Sequence, residues 1–296
     1  MDDKEWLAER FEEHRSRLRS VAYRMLGSLT EADDAVQNAW ERVSRAGADD
    51  VENLGGWLTT IVARICLNML RSRNTRREDS LEAVLPDPIV SPESALQPEE
   101  EVVLADSVGL ALQVVLDTLS PPERLAFVLH DLFDLPFDEI GPMVGRTPEA
   151  TRQLASRARR RIKGAEVAHP EPDPARQRAV VNAFFAAARG GDFDALLDLL
   201  HPDVVLRADF SPGRPNRSAV FHGAEAVLGQ ARLGANRAAE LHPALVNGAA
   251  GVVVTLRGRP FAVMGFTVAD GKIVEIDAFG DPERVRRVAA AVLGRE

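Results

Sequence analysis

Apolar positions in the first quarter of the chain recur at helical spacing. Trp6, Leu7, Phe11, Leu18, Val21, Ala22, Met25 and Leu26 form one stripe, which Gly27 ends. Thr30, with Asp33 three residues on, reads as a capping box opening a second helix, whose stripe is Val36, Trp40 and Val43. After a polar loop from Gly47 to Asn53, a third helix is expected from about Leu54 to Arg73, with Trp57, Leu58, Ile61, Ile65 and Leu67 as its apolar positions. Residues 78–100 break the pattern. Pro86, Pro88, Pro92 and Pro98 stand among acids and serines, which is linker chemistry rather than core; an ordered extended strap would need a partner surface. Helical periodicity returns over about 101–164. Ser120-Pro121-Pro122-Glu123 supplies a Ser cap, Pro in the first turn and Glu at the third position, ahead of Leu125, Val128, Leu129 and Leu132. Pro136 then precedes a short helix with Phe137, Ile140 and Val144, Gly145 breaks it, and Thr147-Pro148 caps another helix running to about Lys163. Short helix, glycine turn and capped second helix make a helix-turn-helix pattern.

Beyond the proline-rich stretch His169–Pro174 the periodicity changes. Helices over about 175–190 and 193–200 precede strand candidates at 203–210, 217–222, 242–247, 251–257, 260–269 and 272–279, with a helix over 223–233 inserted among them. Asp270-Gly271 is a hairpin signal. Two helices followed by mostly antiparallel strands around one more helix are an α+β order. The expected architecture is multidomain. Two all-α domains, a helical bundle (1–77) and a helix-turn-helix domain (107–168), are joined by an acidic linker (78–106). A short linker (169–174), an α+β domain (175–280) and a tail (281–296) follow.

Charge sharpens this picture. The net charge of −9 argues against a nucleic-acid binder only as an average, because the charge is segregated. Residues 64–77 carry five arginines and no acid, residues 78–106 nine acids and no base, and residues 146–163 seven bases against Glu149. Composition is that of a folded protein, with 45% hydrophobic and 27% charged residues. No apolar run reaches the roughly 20 residues that span a bilayer, and the start Met-Asp-Asp-Lys-Glu-Trp has no signal-like apolar stretch. A cytoplasmic protein with no membrane contact is expected. The single cysteine, Cys66, cannot form an internal disulfide or a cysteine metal cage and reads as core; no metal or cofactor is expected.

The helix 148–163 carries the clearest chemistry. Ala150, Leu154, Ala158 and Ile162 share one face, while Arg152, Ser156, Arg159 and Lys163 oppose it, flanked by Glu149, Gln153 and Arg160. Such a face suits the major groove, where Arg takes guanine O6/N7, Gln takes adenine N6/N7 and further arginines hold phosphates. In the second basic island, Trp57 stands with Arg64, Asn68, Arg71, Arg73, Arg76 and Arg77, a combination that suits unstacked bases and backbone. By spacing alone, a core tryptophan beside a solvated helix end is an equal reading. Asp33, Asp34 and Gln37, near a helix start, read by spacing alone as capping and dipole compensation.

Taken in order, the acidic Asp33-Asp34-x-x-Gln37 helix, the Arg-rich Trp57 helix, the acidic linker and the helix-turn-helix resemble bacterial sigma factors of the extracytoplasmic-function group. Leu132-Phe-Asp-Leu-Pro-Phe-Asp-Glu-Ile-Gly141 matches that group's approach to the turn. Arg152-Gln-Leu-Ala-Ser-Arg-Ala-Arg-Arg160 is similar to a subgroup with a SnoaL-like, NTF2-like C-terminal extension, whose helix Gly223-Ala-Glu-Ala-Val227 matches. The resemblance implies the following roles. Asp33, Asp34 and Gln37 meet the clamp helices of the RNA polymerase β′ subunit, and the β flap is a further expected polymerase contact. Residues 57–77 with loop 47–53 open and hold the minus-ten promoter element. Glu149, Arg152, Gln153, Ser156, Arg157 and Arg160 read the minus-thirty-five element. The extension is expected to dock on the sigma half and regulate it in cis, through a tail in which Asp281, Pro282 and Val285 stand where the subgroup has Asn-Pro-Asp-Lys-Leu. Two further subgroup motifs are altered here, Val84-Leu-Pro-Asp-Pro88 for Trp-Leu-Pro-Glu-Pro and Asp209-Phe-Ser-Pro-Gly213 for Asp-Gly-Gly-Gly.

NTF2-like cones also host isomerases and cyclases, so the rival function is an enzyme or a small-ligand sensor fused to a DNA-binding module. Asp209, Asp277 and His222 are the candidates to line a catalytic cavity, but the one tyrosine, Tyr23, lies outside that domain. Phe184, Phe185, Phe221, Phe261 and Phe266 would surround a ligand in a sensor or be plain core; the core reading is preferred. The tail positions Val285, Val288, Ala289, Val292 and Leu293 form a helical stripe with no evident place in the cone. They are expected to pack on the linker or on a sigma domain.

Overall fold

The computed structural model describes residues 3–46, 51, 53–77, 85–93, 110–164, 171–209, 218–234 and 239–294. They form two compact units, one of the N-terminal helices and one of residues 85–93 with the C-terminal part of the chain.

The first unit begins with three helices, α1 (Asp3–Leu26), α2 (Leu29–Ala46) and α3 (Leu54–Arg77). The apolar stripes read from the sequence become their shared core, with Phe11, Leu18, Val21, Met25, Val36, Val43 and Leu58 buried. Trp40 is half-buried and tilts against Phe11 at 5.1 Å between ring centres. The cap of α2 is Ser28, not Thr30: the Ser28 hydroxyl accepts from the Glu31 amide at 3.4 Å and its carbonyl from Ala32 at 2.9 Å. Four short elements follow: α4 (Leu110–Asp117), α5 (Pro121–Phe127), α6 (Phe137–Val144) and α7 (Pro148–Gly164). At the start of α5 the Glu123 carboxylate accepts from the Ser120 hydroxyl at 2.7 Å and amide at 3.3 Å, as the start signal required. A π turn, Val128–Leu132, ends that helix. Between α6 and α7, a Cβ on Gly141 would lie 2.7 Å from the Arg146 carbonyl oxygen, so the turn closes tightly only over glycine.

The carbonyls at the C-terminal end of α1 lack helical N–H donors, and the rest of the unit supplies donors to them. Gln113 of α4 donates to Tyr23 and Arg24, Arg124 of α5 donates to Arg24 at 2.9 Å, and Arg73 of α3 donates to Leu26 at 3.1 Å. Arg124 is 2% exposed, and its charge is balanced by Asp117; burial lowers its pKa. Cys66 is buried too, and burial pushes its thiol up to about 12, the behaviour of an inert core cysteine.

The second unit is a seven-stranded sheet with helices. Its elements are β1 (Val90–Pro92), α8 (Pro174–Gly190), α9 (Phe193–Leu199), β2 (Leu200–Asp209), β3 (Ser218–His222), α10 (Ala224–Gly234), β4 (Ala239–Val246), β5 (Ala249–Leu256), β6 (Arg259–Ala269), β7 (Lys272–Phe279) and α11 (Pro282–Leu293). Strand order is β1-β4-β5-β6-β7-β2-β3, antiparallel except for the parallel β2–β7 pair. Asn247-Gly248, Arg257-Gly258 and Asp270-Gly271 turn the successive hairpins, each pair at positive φ, as two-residue type I′ turns require. Helices α8 and α10 cover the face bearing Leu206, Ala208, Ile276 and Ala278.

Two expectations change here. The proline-rich stretch is not all linker: Pro86, Asp87, Pro88, Ile89, Val90 and Ser91 are buried, and Val90–Pro92 adds an edge strand to β4. The pattern was missed because prolines are tolerated at sheet edges, where one side of the strand needs no ladder bond. The tail helix α11 finds its place on β6 and β1, with Val285, Val288 and Ala289 buried.

Candidate nucleic-acid interface

Helix α7 is amphipathic about Leu154, Ala155, Ala158 and Thr151, all buried against the rest of its domain. The opposite face exposes Glu149, Arg152, Gln153, Ser156, Arg157 and Arg160 together. Relative to the sequence reading, the buried face is turned by about one residue. Arg159, expected to point outward, is half-buried and paired with Asp131 at 2.6 Å. Arg157, although exposed, is partly committed. It and Arg161 bind Glu123 at 3.1 and 3.3 Å. Burial alone would raise the Glu123 pKa, but hydrogen bonds from Ser120 and Arg157 bring it below the usual carboxylate value. The Arg152 guanidinium lies 5.3 Å from the centre of the Phe137 ring, a cation–π contact that orients it from the preceding helix.

On α3, Trp57, Ile61, Arg64, Asn68 and Arg71 follow one helical stripe at steps of four, three, four and three residues. Arg64, Asn68 and Arg71 are exposed and Trp57 is half-buried. Trp57, Ile61 and Arg64 line a surface cleft of about 240 Å³ with Arg42 and Val43 of α2. Asn53 caps α3, its side-chain oxygen accepting from Gly56 at 3.0 Å. Arg73 belongs elsewhere: it ties α3 to Leu26 of α1 and to Glu31 of α2. The side chains of Arg76 and Arg77, and loop residues 47–50 and 52, lie outside the described residues.

Asp33, Asp34 and Gln37 are exposed on one face of α2, opposite buried Ala32, Ala35, Val36 and Ala39. Asp33 is held by Arg19 of α1 through two contacts, at 2.5 and 3.2 Å. The face therefore offers the carboxylate of Asp34 and the amide of Gln37 beside an anchored ion pair.

The matches to known proteins decide the family. Residues 10–76 match Sigma-70 region 2, residues 109–162 match Sigma-70 region 4, and residues 181–276 match the SnoaL-like domain. The chain is 36% identical to the ECF RNA polymerase sigma factor SigJ of Mycobacterium tuberculosis, over 93% of this chain and 91% of that one. This chain belongs to the extracytoplasmic-function sigma factors. A second relative, the probable ECF RNA polymerase sigma factor SigI of Mycobacterium tuberculosis, is 34% identical over 95% of each chain. The crystal structure of the extracytoplasmic-function sigma factor SigJ of Mycobacterium tuberculosis superposes with a TM-score of 0.74 at 35% identity, covering 94% of this chain and 97% of that one.

Within this sigma factor the C-terminal unit holds a site that sequence reasoning did not find. Asp281 caps α11 by accepting from the amides of Glu283 and Arg284, and Pro282 sits in the first turn. The cap aims Arg284 back at the sheet. Its guanidinium binds Asp87 of the buried stretch at 2.5 Å and Asp209 at the end of β2 at 2.7 Å, and donates to the Leu85 carbonyl. On the other side, Asn247 accepts from the Ile89 amide at 2.6 Å and returns a backbone bond to Ile89 at 2.8 Å. The available signal was that Asp87, Asp209 and Arg284 each lie in one of the three altered subgroup motifs; sequence alone did not show that the three segments meet.

The enzyme candidates are not gathered in a cavity. Asp209 faces Arg284, and Asp277 faces Arg207, 3.3 Å away. His222 pairs with Val205 on the sheet face opposite to Leu206 and Ala208. Arg207 also binds Glu275 at 3.0 Å, so one cation serves two carboxylates. Burial, only partly offset by Arg207 and reinforced by Glu275, pushes Asp277 up to about 7.

Proposed function

We propose that this sigma factor joins core RNA polymerase through the Asp34–Gln37 face of α2, holds the melted minus-ten element on the Trp57–Arg71 face of α3, and reads the minus-thirty-five element with α7. The observation carrying this reading is that Glu149, Arg152, Gln153, Ser156 and Arg160 stand together, exposed, on a helix whose other face is buried. Arg and Gln are the side chains that read guanine and adenine edges in the major groove. Trp57 and Arg64 at the edge of one cleft supply a stacking surface and a cation, which suits unstacked bases. The second domain would meet the β flap, with α2 on the β′ clamp.

The C-terminal unit acts in cis on the connection between the two DNA modules. Residues 86–91 lie on that connection and are buried against the C-terminal sheet, clamped by Arg284 and Asn247. A tether pinned near its middle gives its ends less reach than a free one, and effective concentration falls when a linker cannot span the sites. Asp209 paired with Arg284 and Asp277 with Arg207, with His222 in neither pair, favour this regulatory role over catalysis.

The test is transcription in vitro with core polymerase over a promoter library. Transcription dependent on the full chain, lost when Asp34 and Gln37 are both changed to Ala while helix content holds, is the expected result. Unchanged capture of core polymerase by that variant overturns the assignment of the α2 face.

A further inference from the structure

The arginines of α7 are held in two different ways. Arg157 and Arg161 bind the Glu123 carboxylate, and Arg159 binds Asp131. Arg152 lies against an aromatic ring, its guanidinium 5.3 Å from the centre of Phe137. A carboxylate occupies the N–H fork of a guanidinium, whereas a ring face attracts its charge without taking such a bond. The fork of Arg152 is therefore left to meet guanine O6 and N7. Arg152 is the fifth residue of α7, and it is the N-terminal residues of a recognition helix that reach base edges. An exposed arginine has much rotamer freedom to lose on binding, so a partner that narrows it beforehand favours the bound geometry.

Phe137 suits that task because its own direction is fixed from several sides. The Leu135 amide donates to the Leu129 carbonyl at 2.9 Å. The Leu135 carbonyl in turn accepts from His130 Nδ1 at 2.9 Å; a carbonyl only accepts, so Nδ1 carries the hydrogen. Pro136, with φ of −71°, then sets the entry into α6, whose first residue is Phe137. The His130 ring lies 3.9 Å from that of Phe137 between centres, tilted by 30°, and Phe137 is buried. His130 belongs to the π turn Val128–Leu132, and π turns are uncommon and gather at functional positions. Here the turn brings the imidazole to the ring that carries Arg152.

We propose that Phe137 is a positioning residue for promoter reading, presenting Arg152 to one base pair of the minus-thirty-five element in the orientation that takes guanine. The inference rests on the reading of that element by α7, and it gives a specificity role to a buried side chain outside α7.

The test uses the full-length protein with core polymerase on promoters randomised across the minus-thirty-five element. Arg152→Ala first marks the base pair whose preference it removes. Phe137→Leu should lower the preference at that pair roughly two- to fivefold, the worth of an exposed cation–π contact, and leave the other positions as they are. Trifluorophenylalanine placed at position 137 keeps the shape of the ring and drains its negative face, and should act in the same direction. In an Arg152→Ala background neither change should alter base preference further. A role confined to packing α6 would weaken all sequences alike and would persist in that background; either result overturns the proposal, as does parent-like preference in the fluorinated protein. If Phe137→Leu melts early, the fluorinated protein decides. Unchanged preferences in Arg152→Ala overturn the α7 reading and the positioning role with it. A preference lost in Arg152→Ala but intact in both Phe137 variants overturns the positioning role alone.

Discussion

Replacing Arg284 with Ala removes the side chain that joins three otherwise distant segments, around Asp87, Asp209 and α11. Asp87 is 8% exposed, so the change takes the Arg284 cation from a buried carboxylate. Breaking such a pair from one side costs about 3–5 kcal/mol, mostly for the charge left behind. The loss should be local. The core around Val204, Phe266 and Ile276 does not involve Arg284, whereas the 85–92 stretch lies at the sheet edge, with Asn247 as a second polar anchor. At about 1.4 kcal/mol per factor of ten, the stretch should open on the order of 10²- to 10³-fold more often. Hydrogen exchange reads this directly. The Ile89 amide, bonded to Asn247, should exchange faster by that factor, while amides of the β5–β6 ladder keep their protection. Arg284→Ala combined with Asp87→Asn should recover part of the loss, because the carboxylate that Arg284 had balanced no longer carries charge. Unchanged protection at Ile89 in the single variant would refute the reasoning, and a uniform loss over the whole sheet would refute its locality.

Two further predictions rest on other groups. With its folded pKa about 7, above the ordinary carboxylate value near 3.8, Asp277 makes the native state bind more protons than the unfolded chain between those values. Its contribution is present below the unfolded pKa and is lost as pH rises through 7, by on the order of a few kcal/mol. Urea unfolding from pH 5 to 8 should show falling stability, and Asp277→Asn should flatten the slope; an unchanged slope counts against the assignment. For α7, Arg152→Ala should cost roughly 1–3 kcal/mol at particular base pairs, whereas Arg160→Ala should weaken all sequences alike and lower the salt slope by about one. Binding to a randomised minus-thirty-five library distinguishes them, and intact base preferences in Arg152→Ala would end the base-reading role.

Most helices were legible because each carries a local signal. The Ser120–Glu123 cap, the Gly145 break and the apolar stripes need no tertiary information. The hairpins announce themselves through residues that accept positive φ, such as Asp270-Gly271. The failures share a cause. The Leu85–Pro92 stretch carries prolines and an acid, which look like linker until β4 and Arg284 are present to receive them. Arg73 and Arg159 sit in basic islands, and composition could not show that Glu31 and Asp131 would claim them. Placing Asp277 in a cavity failed for a simpler reason: residues on a strand alternate faces, and Ile276 and Ala278 had already taken the inner one.

The N-terminal unit bears on the same regulation. Gln113 and Arg124 belong to the second helical domain and cap the end of α1 in the first, so the two halves of the sigma region are packed on each other. Promoter elements centred near minus ten and minus thirty-five lie roughly 25 base pairs apart, about 85 Å at 3.4 Å per step. A packed pair with α5 against α1 does not match that separation, so the proposed reading of both elements by one molecule calls for the Arg124 contact to part. Opening exposes a guanidinium that is now 2% exposed and leaves the α1 carbonyls to water, which recovers part of their solvation. It also draws on the chain between Arg77 and Leu110, and the portion held by Arg284 and Asn247 contributes nothing to that reach. On the proposed cis-regulation the two constraints act on one equilibrium, in which loosening the clamped stretch would raise the fraction of open molecules without touching the residues proposed to bind DNA. Arg284→Ala should accordingly raise promoter transcription at subsaturating polymerase and leave base preference unchanged. Transcription by Arg284→Ala equal to that of the parent would separate the clamp from the regulation.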